Sequence, residues 1–87
     1  LEFVNPSPVY PRIAERRKWE GTTLLKVRVD RQGNLVDIWV HKSSGHRILD
    51  REALRTVKKW QFSPGKLAGV AMESEITVPV DFILTNK

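Results

Sequence analysis

The sequence predicts an α+β domain, with two helices packed on one face of a three-stranded antiparallel sheet and the element order helix, strand, strand, helix, strand. Three observations predict it. Apolar residues switch from helical spacing to a period of two near Thr23 and back again near Leu49. A tight turn, Asp30-Arg31-Gln32-Gly33, joins two alternating segments. The chain then ends in a third alternating segment whose apolar positions are Ile76, Val78, Val80, Phe82 and Leu84.

Each element has a local cause. Pro6, Pro8 and Pro11 favour an extended polyproline II start, which reads as the end of a proline-rich linker over residues 1 to 9. The chain does not begin with Met, so a fragment is expected, with Leu1-Glu2-Phe3 a cloning remnant. The domain proper is expected over residues 10 to 87. Pro11 suits a first helical turn, and the helix formers from Arg12 onward predict a short helix ending at a C-cap on Gly21, with Ile13 and Ala14 facing inward.

The first strand should bury Thr23, Leu25, Val27 and Val29. The return strand, residues 35 to 42, should bury Val36, Ile38 and Val40 and send Trp39 outward with Leu35, Asp37 and His41. An outward Trp39 implies either packing under a loop or a binding contact. Ser43-Ser44-Gly45 breaks this strand, and Asp50 is expected to cap the second helix, whose Leu49, Ala53, Leu54, Val57 and Trp60 recur at helical spacing. Pro64-Gly65 and Gly69 are turn material.

Size and charge bound the function. A domain of 87 residues buries roughly 64% of its unfolded surface, leaving ~5,200 Å² exposed if compact. It has no second layer to enclose a catalytic pocket, so an enzyme is disfavoured. The net charge of +5 is unevenly spread: residues 1 to 60 carry +6 and residues 61 to 87 carry −1. Arg51, Arg55, Lys58 and Lys59 form a basic helix face, which is either simply solvated or attracted to acidic protein surfaces or lipid headgroups. No stacking motif or groove-reading helix accompanies it, so nucleic acid is not the expected partner. His41 and His46 lack further ligands at metal spacing, and Ser43, Ser44, His46 and Asp50 lie in one short stretch rather than converging from separate elements. Neither metal, cofactor nor catalytic triad is expected.

Pro79 carries the most inference. It has no N–H to donate, which places the last strand at a sheet edge with position 79 bonding outward. If Val78, Val80 and Phe82 bond inward, Thr77, Asp81 and Ile83 present free backbone groups to solvent. Such an edge is read in two ways: Pro79 and Asp81 protect it from strand addition, or the edge is a docking surface.

Tyr10-Pro11 opening a helix, Gly21 before the first strand, the Asp30 to Gly33 turn, the run Trp60-Gln61-Phe62-Ser63-Pro64-Gly65-Lys66 and the terminal alternating strand together resemble the TonB C-terminal domain, over about residues 9 to 84. The resemblance implies a non-enzymatic periplasmic module, anchored to the bacterial inner membrane by a segment outside this chain and driven there by the ExbB/ExbD motor. It implies that outer-membrane transporters are the partners, their TonB box being captured as an added strand for energy-coupled uptake, as of siderophore iron. Carried onto this chain, the docking strand is Thr77, Val78, Pro79, Val80, Asp81, Phe82, Ile83 and Leu84. Tyr10, Trp39, Arg51 and Arg55 are candidate secondary contacts, and an open edge also allows a homodimer. Two alternatives stand beside this reading: a TolA-like envelope interaction domain and a small basic nucleic-acid-binding domain.

Overall fold

The structure is a computed structural model that describes residues 5 to 85; the expected remnant Leu1-Glu2-Phe3 lies outside them. In chain order the elements are α1 (Arg12–Arg16), β1 (Gly21–Val29), β2 (Leu35–Lys42), α2 (Arg47–Val57), β3 (Gly65–Leu67), β4 (Val70–Met72) and β5 (Ser74–Phe82). Strands β2, β1 and β5 form an antiparallel sheet in that order, with β1 central, and β3 and β4 form a separate hairpin. The predicted architecture is therefore found, with the small hairpin added.

The core lies between the sheet and the helices. Leu25, Val27 and Val29 from β1 and Val78, Val80 and Phe82 from β5 meet Leu49, Ala53 and Val57 of α2 and Ala14 of α1. The period of two in the strands puts these residues on one face, and the spacing of 49, 53 and 57 puts three helical residues on one stripe. Helix α2 packs over β1 and β2.

Helix α1 ends earlier than expected and by a different residue. The N–H of Trp19 donates to the Ala14 carbonyl at 2.8 Å and that of Lys18 to the Glu15 carbonyl at 3.1 Å. With Lys18 at φ 56°, this is a Schellman ending whose left-handed position holds lysine. Gly21 instead begins β1, where a Cβ would sit 2.7 Å from the Ser44 carbonyl oxygen. Ile13 is 37% exposed, so Ala14 alone of the expected pair is buried.

In β2 the expected parity fails at its start. Val29 pairs with Leu35 but Arg28 pairs with Asp37, leaving Val36 as the extra residue of a bulge. The bulge turns Leu35 onto the core and leaves Val36 54% exposed, while Ile38 and Val40 pack inward as expected. A second irregularity, at His41, lies between the pairs Leu25 with Val40 and Leu24 with Lys42.

Asp50 is not the helix cap. His46 takes that position without a side-chain capping bond, and Asp50 sits in the first turn. Its carboxylate accepts from the Thr23 hydroxyl at 2.7 Å, the Ser44 N–H at 2.9 Å, the Ser44 hydroxyl at 2.8 Å and the Ser43 hydroxyl. It thereby ties α2 to β1 and to the loop after β2. Burial raises its pKa, but the bonds from Ser43, Ser44 and Thr23 outweigh burial and hold it below the usual aspartate value.

The proline-rich start is bonded to the domain. The Trp60 indole N–H donates to the Pro6 carbonyl at 2.7 Å, the Gln61 N–H to Asn5 Oδ1 at 2.9 Å and the Val9 N–H to Glu52 Oε2 at 2.9 Å. The molecule is elongated, 48 × 24 × 17 Å, and its 6405 Å² of accessible surface exceeds the compact expectation.

Candidate functional site: the open edge of β5

Strand β5 pairs with β1 from Gly21 opposite Phe82 to Val29 opposite Ser74. Among the described residues no strand pairs with its other side. Pro79 stands opposite Leu24. Having no N–H, it must occupy a non-hydrogen-bonded pair, so Val78, Val80 and Phe82 direct their backbone groups toward β1. Alternation then turns the N–H and C=O of Thr77 and Asp81, and the carbonyl of Pro79, outward.

Side chains reinforce this division. Val78, Val80 and Phe82 are 7, 4 and 2% exposed, whereas Thr77, Pro79 and Asp81 are exposed on the helix-free face of the sheet. The edge is therefore held rigidly by its buried side chains while half its backbone groups lie free. The Thr22 hydroxyl donates to Asp81 Oδ1 at 2.6 Å, which couples Asp81 to β1 on that face.

Strand β5 ends two residues before Leu84, the last residue of the expected docking strand. Strand geometry stops at Phe82, so Ile83 and Leu84 lie beyond it. Ile83 is 69% exposed, and the Leu84 N–H donates to Glu20 Oε1 at 2.6 Å. That amide therefore already has a partner.

Of the four secondary candidates, the structure brings only Tyr10 to this strand. Its ring meets Phe82 edge-on at 5.5 Å, and its hydroxyl donates to the Trp19 carbonyl. Burial, then Glu20 and Glu15, raise its pKa, so it remains a donor at neutral pH. Trp39 is on β2, at the far edge: Lys26 of β1 pairs with Trp39 on one side and Thr77 on the other. Two strand spacings, about 10 Å, separate it from the open edge of β5. The Arg28 guanidinium lies over its ring at 5.7 Å, covering part of the aromatic face.

Arg51 and Arg55 are on α2, beside Val9, Pro11 and Ile48 around a shallow concavity of about 280 Å³. Arg55 is engaged bidentately by Glu52, Nε at 2.9 Å and Nη2 at 3.1 Å. Burial raises the Glu52 pKa, but Arg55, the Val9 N–H and Thr56 outweigh it and the carboxyl titrates below the usual range. This pair secures the N-terminal arm rather than the β5 edge. Sequence reasoning missed Glu20 and Thr22, which anchor the end of β5; a carboxylate just before a strand carried no signal of its distant partner.

Residues 6–84 match the family model described as Gram-negative bacterial TonB protein C-terminal. The chain is 48% identical over 80 residues to protein tonB2 of Pseudomonas aeruginosa, covering 92% of this chain and 30% of that protein. It is 43% identical over 77 residues to protein TonB of Vibrio cholerae, covering 88% of this chain and 32% of that protein. It thus spans about a third of the length of these relatives. Among solved structures, the solution NMR structure of Pseudomonas aeruginosa TonB CTD superposes with a TM-score of 0.78 at 29% identity, covering 99% of this chain and 88% of that one. That of Helicobacter pylori TonB-CTD gives 0.74 at 25% identity, covering 92 and 72%. A match running through both helices, the central sheet and the open strand is decisive: the chain belongs to the TonB C-terminal family, a family of non-enzymatic domains.

Proposed function

We propose that this domain is the periplasmic receptor-binding end of a TonB-type energy transducer. It captures the TonB box of outer-membrane transporters as a strand added to β5, and so relays work from the ExbB/ExbD motor at the inner membrane, where a segment outside this chain anchors it. The observation that carries this reading is the free edge of β5, on which Pro79 allows only an outward orientation for positions 77 and 81. An added strand gains main-chain hydrogen bonds while demanding few side-chain pockets. That suits a module serving several transporters. The buried residues behind the edge give it the stiffness to pass force into β1, its partner along nine residues.

Titration with a synthetic TonB-box peptide, followed by backbone NMR, tests this. The amides of Thr77, Val78 and Asp81 are expected to shift more than those of β2. Shifts confined to α2 would overturn strand addition. The same edge can pair with a second copy, so sedimentation is run alongside, and peptide is expected to compete with any self-association.

A further inference from the structure

The β3–β4 hairpin presents an apolar face that the domain itself does not cover. Its register pairs Gly65 with Met72, Lys66 with Ala71 and Leu67 with Val70. Alternation therefore puts Leu67, Val70 and Met72 on one face and Lys66 and Ala71 on the other. Leu67, Val70 and Met72 are 66, 64 and 42% exposed. Three large apolar side chains together at the tip of a ribbon are unlike singly scattered surface residues.

The surroundings of the hairpin are basic. It leaves the sheet at Ser74, which pairs with Val29 beside the β1–β2 turn, and Gly33 of that turn closes on the Phe62 carbonyl just before the hairpin. Lys58 lines a concavity with Gln32, Gly33 and Phe62, so the C-terminal end of α2 is at the same end of the molecule. Arg31, Lys58, Lys59 and Lys66 are all exposed there, and among the described residues none is in an ion pair. Of the nearby acids, Asp30 accepts the Gln32 and Asn34 N–H groups at 2.9 Å, Glu75 lies 3.8 Å from Lys26, and Glu73, exposed beside the hairpin, lies 4.0 Å from Arg28.

We infer that this end of the domain is a peripheral binding surface for an anionic phospholipid bilayer, with the apolar face of the hairpin entering the headgroup region and Arg31, Lys58 and Lys59 meeting lipid phosphates. Apolar side chains and basic residues acting together are the combination that gives reversible attachment to anionic membranes. A second copy of this chain, carrying the same positive charge at that end, would be repelled by it. The surface is separate from positions 77 to 81 of β5, so lipid contact and strand addition can occur together.

Co-sedimentation of the 87-residue chain with vesicles tests the inference, comparing pure phosphatidylcholine with a mixture in which a quarter of the lipid is phosphatidylglycerol. Binding is expected to the mixture only, and to be lost at about 1 M salt, where the screening length is ~3 Å. The variant Leu67→Ser with Val70→Ser is expected to bind about tenfold or more weakly. Lys58→Gln and Lys59→Gln should each cost about fivefold. All four positions are exposed, so these variants are expected to retain the wild-type circular dichroism and the TonB-box titration of β5. Absence of binding, equal binding to both vesicles, or full binding by the hairpin variant would overturn the inference. Concentration-dependent self-association abolished by the hairpin variant, without vesicle binding, would assign the face to a second copy instead.

Discussion

At the scale of single residues, Asp50 and Lys18 show how far local chemistry can be redirected by its surroundings. Asp50 accepts from the Thr23 hydroxyl, and Thr23 is fully buried. Asp50→Ala would leave that hydroxyl without its acceptor and remove three further bonds to a charged group, a loss of about 2–3 kcal/mol, measurable by urea denaturation. Because its folded pKa is lowered, the stabilisation is complete above the unfolded value of about 3.9 and is lost as pH falls through the folded value. Asp50→Asn should therefore weaken the acid dependence of stability below about pH 4; an unchanged acid limb would show that other carboxylates, Glu52 first among them, carry it. Lys18 is the converse case, a residue in a conformation better suited to glycine. Lys18→Gly should stabilise by about 1 kcal/mol, whereas Gly21→Ala should destabilise, since its Cβ would press on the Ser44 carbonyl. Both are read from thermal midpoints.

At the scale of elements, the edge strand and the hairpin each admit a direct test. Pro79→Ala restores an N–H. If that group points outward, stability should change by less than about 0.5 kcal/mol, while affinity for an added strand rises by about one hydrogen bond, several-fold in dissociation constant. A gain in stability with no change in binding would instead mean that position 79 bonds toward β1. In the β3–β4 hairpin, Ala68 and Gly69 both have positive φ, 52° and 81°, which is a type I′ turn with alanine where asparagine or glycine is preferred. Ala68→Asn should slow hydrogen exchange in β3 and β4 several-fold, with little effect on global unfolding because the hairpin lies outside the buried core.

At the scale of the whole molecule, the N-terminal arm decides where the domain begins. Deleting residues before Tyr10 would remove the partners of the Trp60 indole and Gln61 amide and the Val9 amide bonded to Glu52. A loss of about 2 kcal/mol is expected in equilibrium unfolding, where a freely solvated linker would give none. The arm is joined to Glu52 of α2 and to Trp60 and Gln61 just after it, whereas the open edge is joined to β1. A pull through the arm thus reaches β5 directly, through the Tyr10 ring against Phe82, and also through α2, Asp50 and the central strand.

Fold class, the faces of β1 and β5, the edge position of the last strand and the family resemblance are all legible in the residues alone. The structural properties follow from short-range rules: a period of two, a missing proline N–H, and turn residues with defined backbone preferences; the resemblance rests on the motifs from Tyr10-Pro11 to the last strand. That Leu35 replaces Val36 in the core, that Lys18 rather than Gly21 ends α1, and that Asp50 bridges elements emerge with the folded chain. It alone joined Asn5 and Pro6 to Trp60 and Gln61, and Leu84 to Glu20. In all of these but the Lys18 ending, which is local, the partner is distant along the chain or the register shifts by one residue, and no local pattern specifies which distant group will come within hydrogen-bonding reach. Packing makes that choice, by bringing buried polar groups to the partners that satisfy them.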